Sequence, residues 1–258
     1  MTAASYAVSD TLVLALRNLK RIPRAPDLLL SFTLQPVMFV LLFTYVFGGA
    51  IATPGYDSYV DFLMPGIIVQ SIAFGGFVTA LGLAQDLQKG LIDRFRSLPM
   101  WGPAVVSGRI LADVGTNVVQ LVIMLAVGLA AGFRFSAGAP KVAAGIALLL
   151  FLGYAFSWVF AFIGLSASSP EASNAYGFTI LFPVTFVSSA FVPLESMPSW
   201  LEKVAEINPF TTMVDAVRAL FLDTPAGNDV WGAVVWAVVI ILVFGALSVW
   251  RYQRAVTR

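Results

Sequence analysis

Residues 28–47 read LLLSFTLQPVMFVLLFTYVF, twenty consecutive residues without a charge. A helix rises about 1.5 Å per residue, so about twenty apolar residues cover the roughly 30 Å hydrocarbon core of a bilayer. Pro36 interrupts the run, and a proline in a spanning helix kinks it without ending it. Five further runs of this kind follow, at 62–84, 110–132, 142–165, 177–192 and 231–250. Trp231 and Trp250 bracket the last, about 28 Å apart along a helix, which suits indole rings at the two interfaces. Only 11% of the 258 residues are charged and 59% are hydrophobic. An average soluble domain is roughly a quarter charged. The expected fold class is therefore an all-α polytopic membrane protein with six transmembrane helices.

The basic residues orient these spans, because Lys and Arg are retained on the cytoplasmic side. Arg17, Lys20, Arg21 and Arg24 precede the first span, Lys89, Arg94, Arg96 and Arg109 follow the second, and Arg251, Arg254 and Arg258 follow the sixth. The other side holds Arg134, Lys141, Lys203 and Arg218. Both termini are expected in the cytoplasm. Residues 1–27 form a cytoplasmic N-terminal segment, 28–250 one transmembrane domain and 251–258 a cytoplasmic tail. Ser166–Tyr176 is expected as an inside loop although it holds no basic residue, and a four-span arrangement that buries it is the alternative. No cleavable signal pattern is read in residues 1–20, whose basic residues follow the apolar stretch. Asp10, Arg17, Arg21 and Arg24 share one helical face and Val8, Leu12, Leu16 and Leu19 the other, which predicts a helix lying in the cytoplasmic interface.

Several chemistries are excluded by what the chain lacks. Cysteine and histidine are both absent, which removes disulfides, thiolate nucleophiles, imidazole bases and the usual zinc sites. The four lysines, Lys20, Lys89, Lys141 and Lys203, follow Leu19, Gln88, Pro140 and Glu202. None completes the Gly-Lys-Ser/Thr of a phosphate-cradling loop, so the chain is expected to carry no ATPase and no catalytic or metal site of its own. With fifteen basic and fourteen acidic residues, no global basic field recruits nucleic acid. Ion-coupled transporters place carboxylates at membrane depth. The nearest case is Asp113, about a turn into the third run and expected to pair with Arg109 at i−4.

Two segments outside the runs are patterned. Gln85–Gly108 reads QDLQKGLIDRFRSLPMWGPAVVSG, with Leu87, Leu91, Phe95 and Leu98 on one helical face and Lys89, Asp93 and Arg96 on others. Such a helix suits either a membrane surface or a groove in a cytoplasmic partner. Glu195–Asp229 carries six carboxylates against Lys203 and Arg218, and its apolar residues recur at helical spacing on both sides of Pro209. Two short amphipathic helices folded back on the outer face are expected. Small residues at Gly128 and Gly132, and at Gly153, Ser157 and Ala161, suit close packing inside the bundle.

Taken together, QPVMFVLLFTYVFGGAI at 35–51, QDLQKGLIDRFRSLPM at 85–100 with GRILAD at 108–113, and FVPLESMPSWLEKVAEINPFTTMVDAVRAL at 191–220 carry a resemblance. The chain resembles the membrane subunit of ABC-2 type exporters, most closely the daunorubicin-resistance permease group. Met197, Pro198, Pro209, Phe210 and Arg218 stand at the family's signature positions, with mild departures at Val184, Val187 and Thr212. The resemblance implies the permease subunit of an exporter that moves a lipophilic drug, lipid or glycolipid outward by alternating access. It implies two membrane subunits, as a homodimer in preference to a heterodimer, and two cytoplasmic ATPase subunits that bind ATP and magnesium. Leu87, Lys89, Leu91, Asp93, Arg94 and Arg96 would then form the helix that couples to the ATPase, and Arg17, Arg21 and Arg24 would belong to a connecting helix. Spans 2 and 5 would line the path, with Phe74, Phe77, Phe182 and Phe186 as candidate substrate contacts. An ATP-independent or ion-coupled transporter is the competing reading.

Overall fold

The computed structural model describes residues 3–19, 26–51, 53, 55, 56, 58–90, 103–225 and 227–255. Among them the regular structure is helical, with no strand. Ala3–Leu19 forms α1, and Pro26–Leu42 forms α2, prolonged by a π-helical turn over Phe43–Phe47. Tyr59–Gly75 (α3) and Phe77–Gln88 (α4) are two pieces of one 30-residue apolar rod that turns at Gly76. Ala104–Ala130 (α5), Ala139–Ser166 (α6) and Pro170–Phe186 (α7) follow. After a short 3-10 turn come Ser199–Glu206 (α8), Pro209–Leu222 (α9) and Asp229–Ala255 (α10).

Four of these rods, Tyr59–Gln88, Ala104–Ala130, Ala139–Ser166 and Asp229–Arg254, are long and apolar enough to cross a membrane. The α7 helix has 17 residues, a length of about 26 Å. α6 lies at the centre and packs against α3, α4, α5, α9 and α10. Its Leu148, Leu149, Leu152, Phe156 and Phe160 join Ile67, Ile68, Ile72 and Phe77 in the main core. Glycine permits the closest approaches: a Cβ at Gly164 would fall on the backbone of Ala80, and one at Gly66 on the backbone of Ala190. Gly128 receives the side chain of Met64, and Gly153 that of Asn117, so these small residues serve packing within one chain. The outward faces of α5 (Val118, Val119, Val122) and α10 (Val235, Val239, Leu242) are apolar, as lipid contact requires.

The structure corrects two boundaries. The connection expected over 166–176 is confined to residues 167–169: helix α7 starts at Pro170 and ends at Phe186, where a span was expected over 177–192. Ser169 caps it, its Oγ accepting from the amide of Ala172, with Pro170 in the first turn and Glu171 against the positive end of the helix dipole. The third rod begins at Ala104, six residues before the expected Ile110, because residues 104–110 pack in a second core with Leu14, Leu83 and Trp158. Two short helices form on either side of Asn208, over Ser199–Glu206 and Pro209–Leu222. α9 turns its apolar face inward and buries it, while α8 leaves Trp200, Val204 and Ile207 exposed.

Candidate functional site

A cavity of about 210 Å3 lies between α2, α3 and α7, lined by Gln35, Pro36, Phe39, Gln70, Ser71, Phe74 and Phe178. Two of its polar groups are held by hydrogen bonds. Gln70 donates through Nε2 to Thr185 Oγ1 at 3.1 Å, and Ser71 Oγ accepts from Gln120 Nε2 at 2.8 Å. Its walls are two aromatic clusters. Phe74 stands 5.5 Å from Phe77 and 5.8 Å from Phe178, and Phe77 packs 4.5 Å from Phe160. Phe39 meets Phe186 at 6.4 Å, and Phe186 stacks on Phe182 at 4.2 Å and on Phe191 at 4.7 Å. No lining residue is charged. The chemistry offered is an apolar, aromatic surface with fixed neutral hydrogen-bonding groups, which suits a lipophilic molecule bearing hydroxyl or carbonyl groups.

The four phenylalanines named from the sequence divide by position. Phe74 lines the cavity, Phe77 is fully buried behind it, Phe186 is half-buried and Phe182 is 46% exposed. Sequence reading missed Gln35, Phe39, Gln70, Ser71 and Phe178. The signal for Gln35 and Gln70 was present, since each is a carboxamide set within an apolar run.

Met197, Pro198, Pro209, Phe210 and Arg218, named from the resemblance, lie on and around α8 and α9. Asn208 caps α9, accepting from the Phe210 amide at 2.9 Å and donating to the carbonyls of Val184 at 2.7 Å and Val187 at 2.5 Å. Pro209 occupies the first turn, where a missing N–H costs nothing, and Pro198 precedes α8 in extended backbone next to half-buried Met197. Phe210 is buried edge-on to Phe156 at 6.3 Å. Arg218, 3% exposed, donates to Phe62 O through Nε (3.2 Å) and Nη2 (3.1 Å) and to Ser189 O at 2.8 Å, and pairs with Asp215. Its guanidinium lies 4.1 Å from the Phe62 ring centre. Burial pushes the Asp215 carboxyl above its ordinary range, opposed by the adjacent Arg218. A larger cavity, about 910 Å3, is lined there by Tyr56, Glu195, Asp215, Arg218 and Asp229 among others.

At the other end, Leu87 is half-buried and Lys89 exposed, while Leu91, Asp93, Arg94 and Arg96 lie outside the described residues. Arg17 is exposed, and Arg21 and Arg24 are likewise outside them. α1 lies along α5, with Leu14 and Ala15 buried. A Cβ at Gly108 would meet Leu14 and the carbonyl of Thr11 at 2.8 Å, and Gly115 leaves room for Leu19. Leu12 and Leu16, on the predicted apolar face, remain exposed. The expected intrahelical pair takes another form. Arg109 donates to Asp86 and to the carbonyl of Val78, both at 3.2 Å on α4, and Asp113 instead accepts from buried Thr79.

Residues 9–222 match the family described as ABC-2 type transporter. The chain is 35% identical to the daunorubicin resistance ABC transporter permease protein DrrB1 of Streptomyces coeruleorubidus over 98% of its own length and 89% of the relative's. It is 25% identical to the probable doxorubicin resistance ABC transporter permease protein DrrC of Mycobacterium tuberculosis H37Rv, over 99% and 92%. To the probable multidrug ABC transporter permease YbhR of Escherichia coli K12 it is 25% identical over 79% of this chain and 55% of that one. With its described residues helical, four apolar rods among them and the family match over most of its length, the chain belongs to the ABC-2 type transporter family.

Proposed function

We propose that this chain is the permease subunit of an ATP-driven exporter that carries a lipophilic drug, lipid or glycolipid out of the cell. The observation that carries this reading is the uncharged cavity of Gln35, Phe39, Gln70, Ser71, Phe74 and Phe178, in a member of a transporter family that has no phosphate-binding lysine loop. Residues 26–47 and 170–186 supply the first and fifth of six spans, and residues 28–250 make one transmembrane domain with both termini in the cytoplasm. The carboxamide of Gln35 is exposed within an apolar helix, and Phe178 and Phe182 are exposed beside it on α7. A polar side chain facing lipid is costly. A second copy of the chain covers this face, so that the two cavities meet on a shared path.

Energy comes from two partner ATPase subunits, which bind ATP and magnesium. Their closure is transmitted through the segment holding Leu87, Lys89, Leu91, Asp93, Arg94 and Arg96, and through α1 with Arg17, Arg21 and Arg24. The contact of α1 with α5 and the Arg109–Asp86 pair support this route, since both join the cytoplasmic elements to spans that pack on the core. Replacing Leu91 and Arg94 together tests it. Co-purification of the ATPase encoded beside this chain is expected to fall while membrane insertion is kept. Unchanged complex formation and transport would place the coupling contact elsewhere.

A further inference from the structure

Asn117 is 1% exposed, and both its amide nitrogen and its carbonyl oxygen lack a hydrogen-bond partner among the described residues. Its neighbours on the same face of α5, Asp113 at i−4 and Gln120 at i+3, are buried and partnered: Asp113 accepts from Thr79, and Gln120 donates to Ser71 O at 3.0 Å and Ser71 Oγ at 2.8 Å. The three residues form a polar seam through the middle of the bundle, facing α3, α4 and α6. The carboxamide of Asn117 is held between two glycines. A Cβ at Gly75 would come within 2.6 Å of its oxygen, and one at Gly153 within 2.5 Å of its nitrogen. Gly75 lies at the turn that separates α3 from α4.

Inside a membrane bundle no bulk solvent can satisfy a carboxamide, and a buried amide with both ends unmet is strongly disfavoured. Buried waters typically bridge about three otherwise unsatisfied polar groups. A chain of polar side chains links this seat to the cavity wall. Ser71, the partner of Gln120, also lines the 210 Å3 cavity, and Gln120 Oε1 and Asn117 Oδ1 both crowd the position of a Gly75 Cβ, at 3.1 and 2.6 Å. We infer that Asn117 is the seat of ordered internal water, continuous with the cavity through Ser71 and Gln120, so that the turn in the second span at Gly75–Gly76 is hydrated. Water fits better than a larger polar ligand, because the two glycines leave the carboxamide closely flanked.

The test uses the purified full-length chain and two nearly isosteric variants, Asn117→Thr and Asn117→Val. A wet seat makes the threonine variant the more stable, with an unfolding midpoint about 2–6 °C above that of the valine variant. A dry seat reverses or abolishes the difference, since a hydroxyl bonded only to its own helix's carbonyl at i−4 gains nothing over valine, and either result overturns the inference. A midpoint that rises with sodium relative to choline in the wild type, and not in Asn117→Val, would assign the seat to a cation and equally overturn it. Should neither variant fold, density in an experimental structure of the wild type decides. A peak about 2.7–3.2 Å from Nδ2 or Oδ1 is expected, and a direct protein partner in its place contradicts the assignment.

Discussion

Arg109 and Asp86 form an ion pair at 3.2 Å across α5 and α4, with side chains only 16% and 14% exposed. These two helices flank the segment that follows the second span, so the pair fastens its two ends. The guanidinium lies so close over Gly82 that any side chain there would displace it. If the proposed coupling contact lies in this segment, the pair fixes the frame from which it is presented.

Removing one partner of this pair should loosen the frame. Arg109→Gln is expected to cost about 1–3 kcal/mol of stability and to reduce transport per ATP hydrolysed. The exchange Asp86→Arg with Arg109→Asp should restore part of the coupling. Equal losses in the single and double variants, measured as transport against ATPase rate in proteoliposomes, would show that the pair has no positioning role.

Arg218 is a buried arginine whose partners call for a planar guanidinium. Its planar fork satisfies Phe62 O and Ser189 O while neutralising Asp215 and stacking on Phe62. Arg218→Ala strands a half-buried carboxylate and should cost about 3–5 kcal/mol, whereas Arg218→Lys, which lacks the fork, should recover only part of that. Thermal unfolding in detergent reads both, and a lysine variant as stable as wild type would refute the geometric argument.

Gly66 and Gly49 make a matched comparison. A Cβ at Gly66 meets the backbone of Ala190, while one at Gly49 has open space. Gly66→Ala should destabilise by about 1–3 kcal/mol through overpacking, and Gly49→Ala should leave stability nearly unchanged. Similar unfolding midpoints for the two variants would mean that the close approach of the second span to Ala190 is not maintained.

Orientation can be tested cleanly, because the chain has no native cysteine. Ser196→Cys, on the exposed outer turn, should react with an impermeant thiol reagent in intact cells. Ser9→Cys, exposed on α1, should react only after the membrane is opened. The reverse pattern would invert the topology read from the arginines and lysines.

The long apolar runs were legible because hydrocarbon thickness fixes their length, and the outer helices because their apolar spacing follows the helix period. The start of α7 was missed because hydropathy weighs Pro170–Tyr176 as polar, although Ser169, Pro170 and Glu171 spell a helix N-terminus. Of the candidate site, Phe74 was found from the expectation that the second span lines a path. Gln70 and Ser71 were not, since α3 is buried almost all round and its periodicity marks no single functional face. The Arg109–Asp86 pair was not foreseen because one-dimensional spacing favours neighbours at i+4 over a partner 23 residues away.

Phe74→Ala and Gln70→Leu alter the cavity without touching the cytoplasmic end. Transport of a bound lipophilic substrate is expected to fall at least several-fold while ATPase co-purification is unchanged. Loss of complex formation in parallel would make these residues structural.

The most direct measurement is substrate movement in proteoliposomes holding this chain with and without its partner ATPase. Transport is expected only with both proteins and ATP, to be stopped by vanadate and to be indifferent to a protonophore. Transport by this chain alone, or transport abolished by the protonophore and untouched by vanadate, would contradict an ATP-driven exporter.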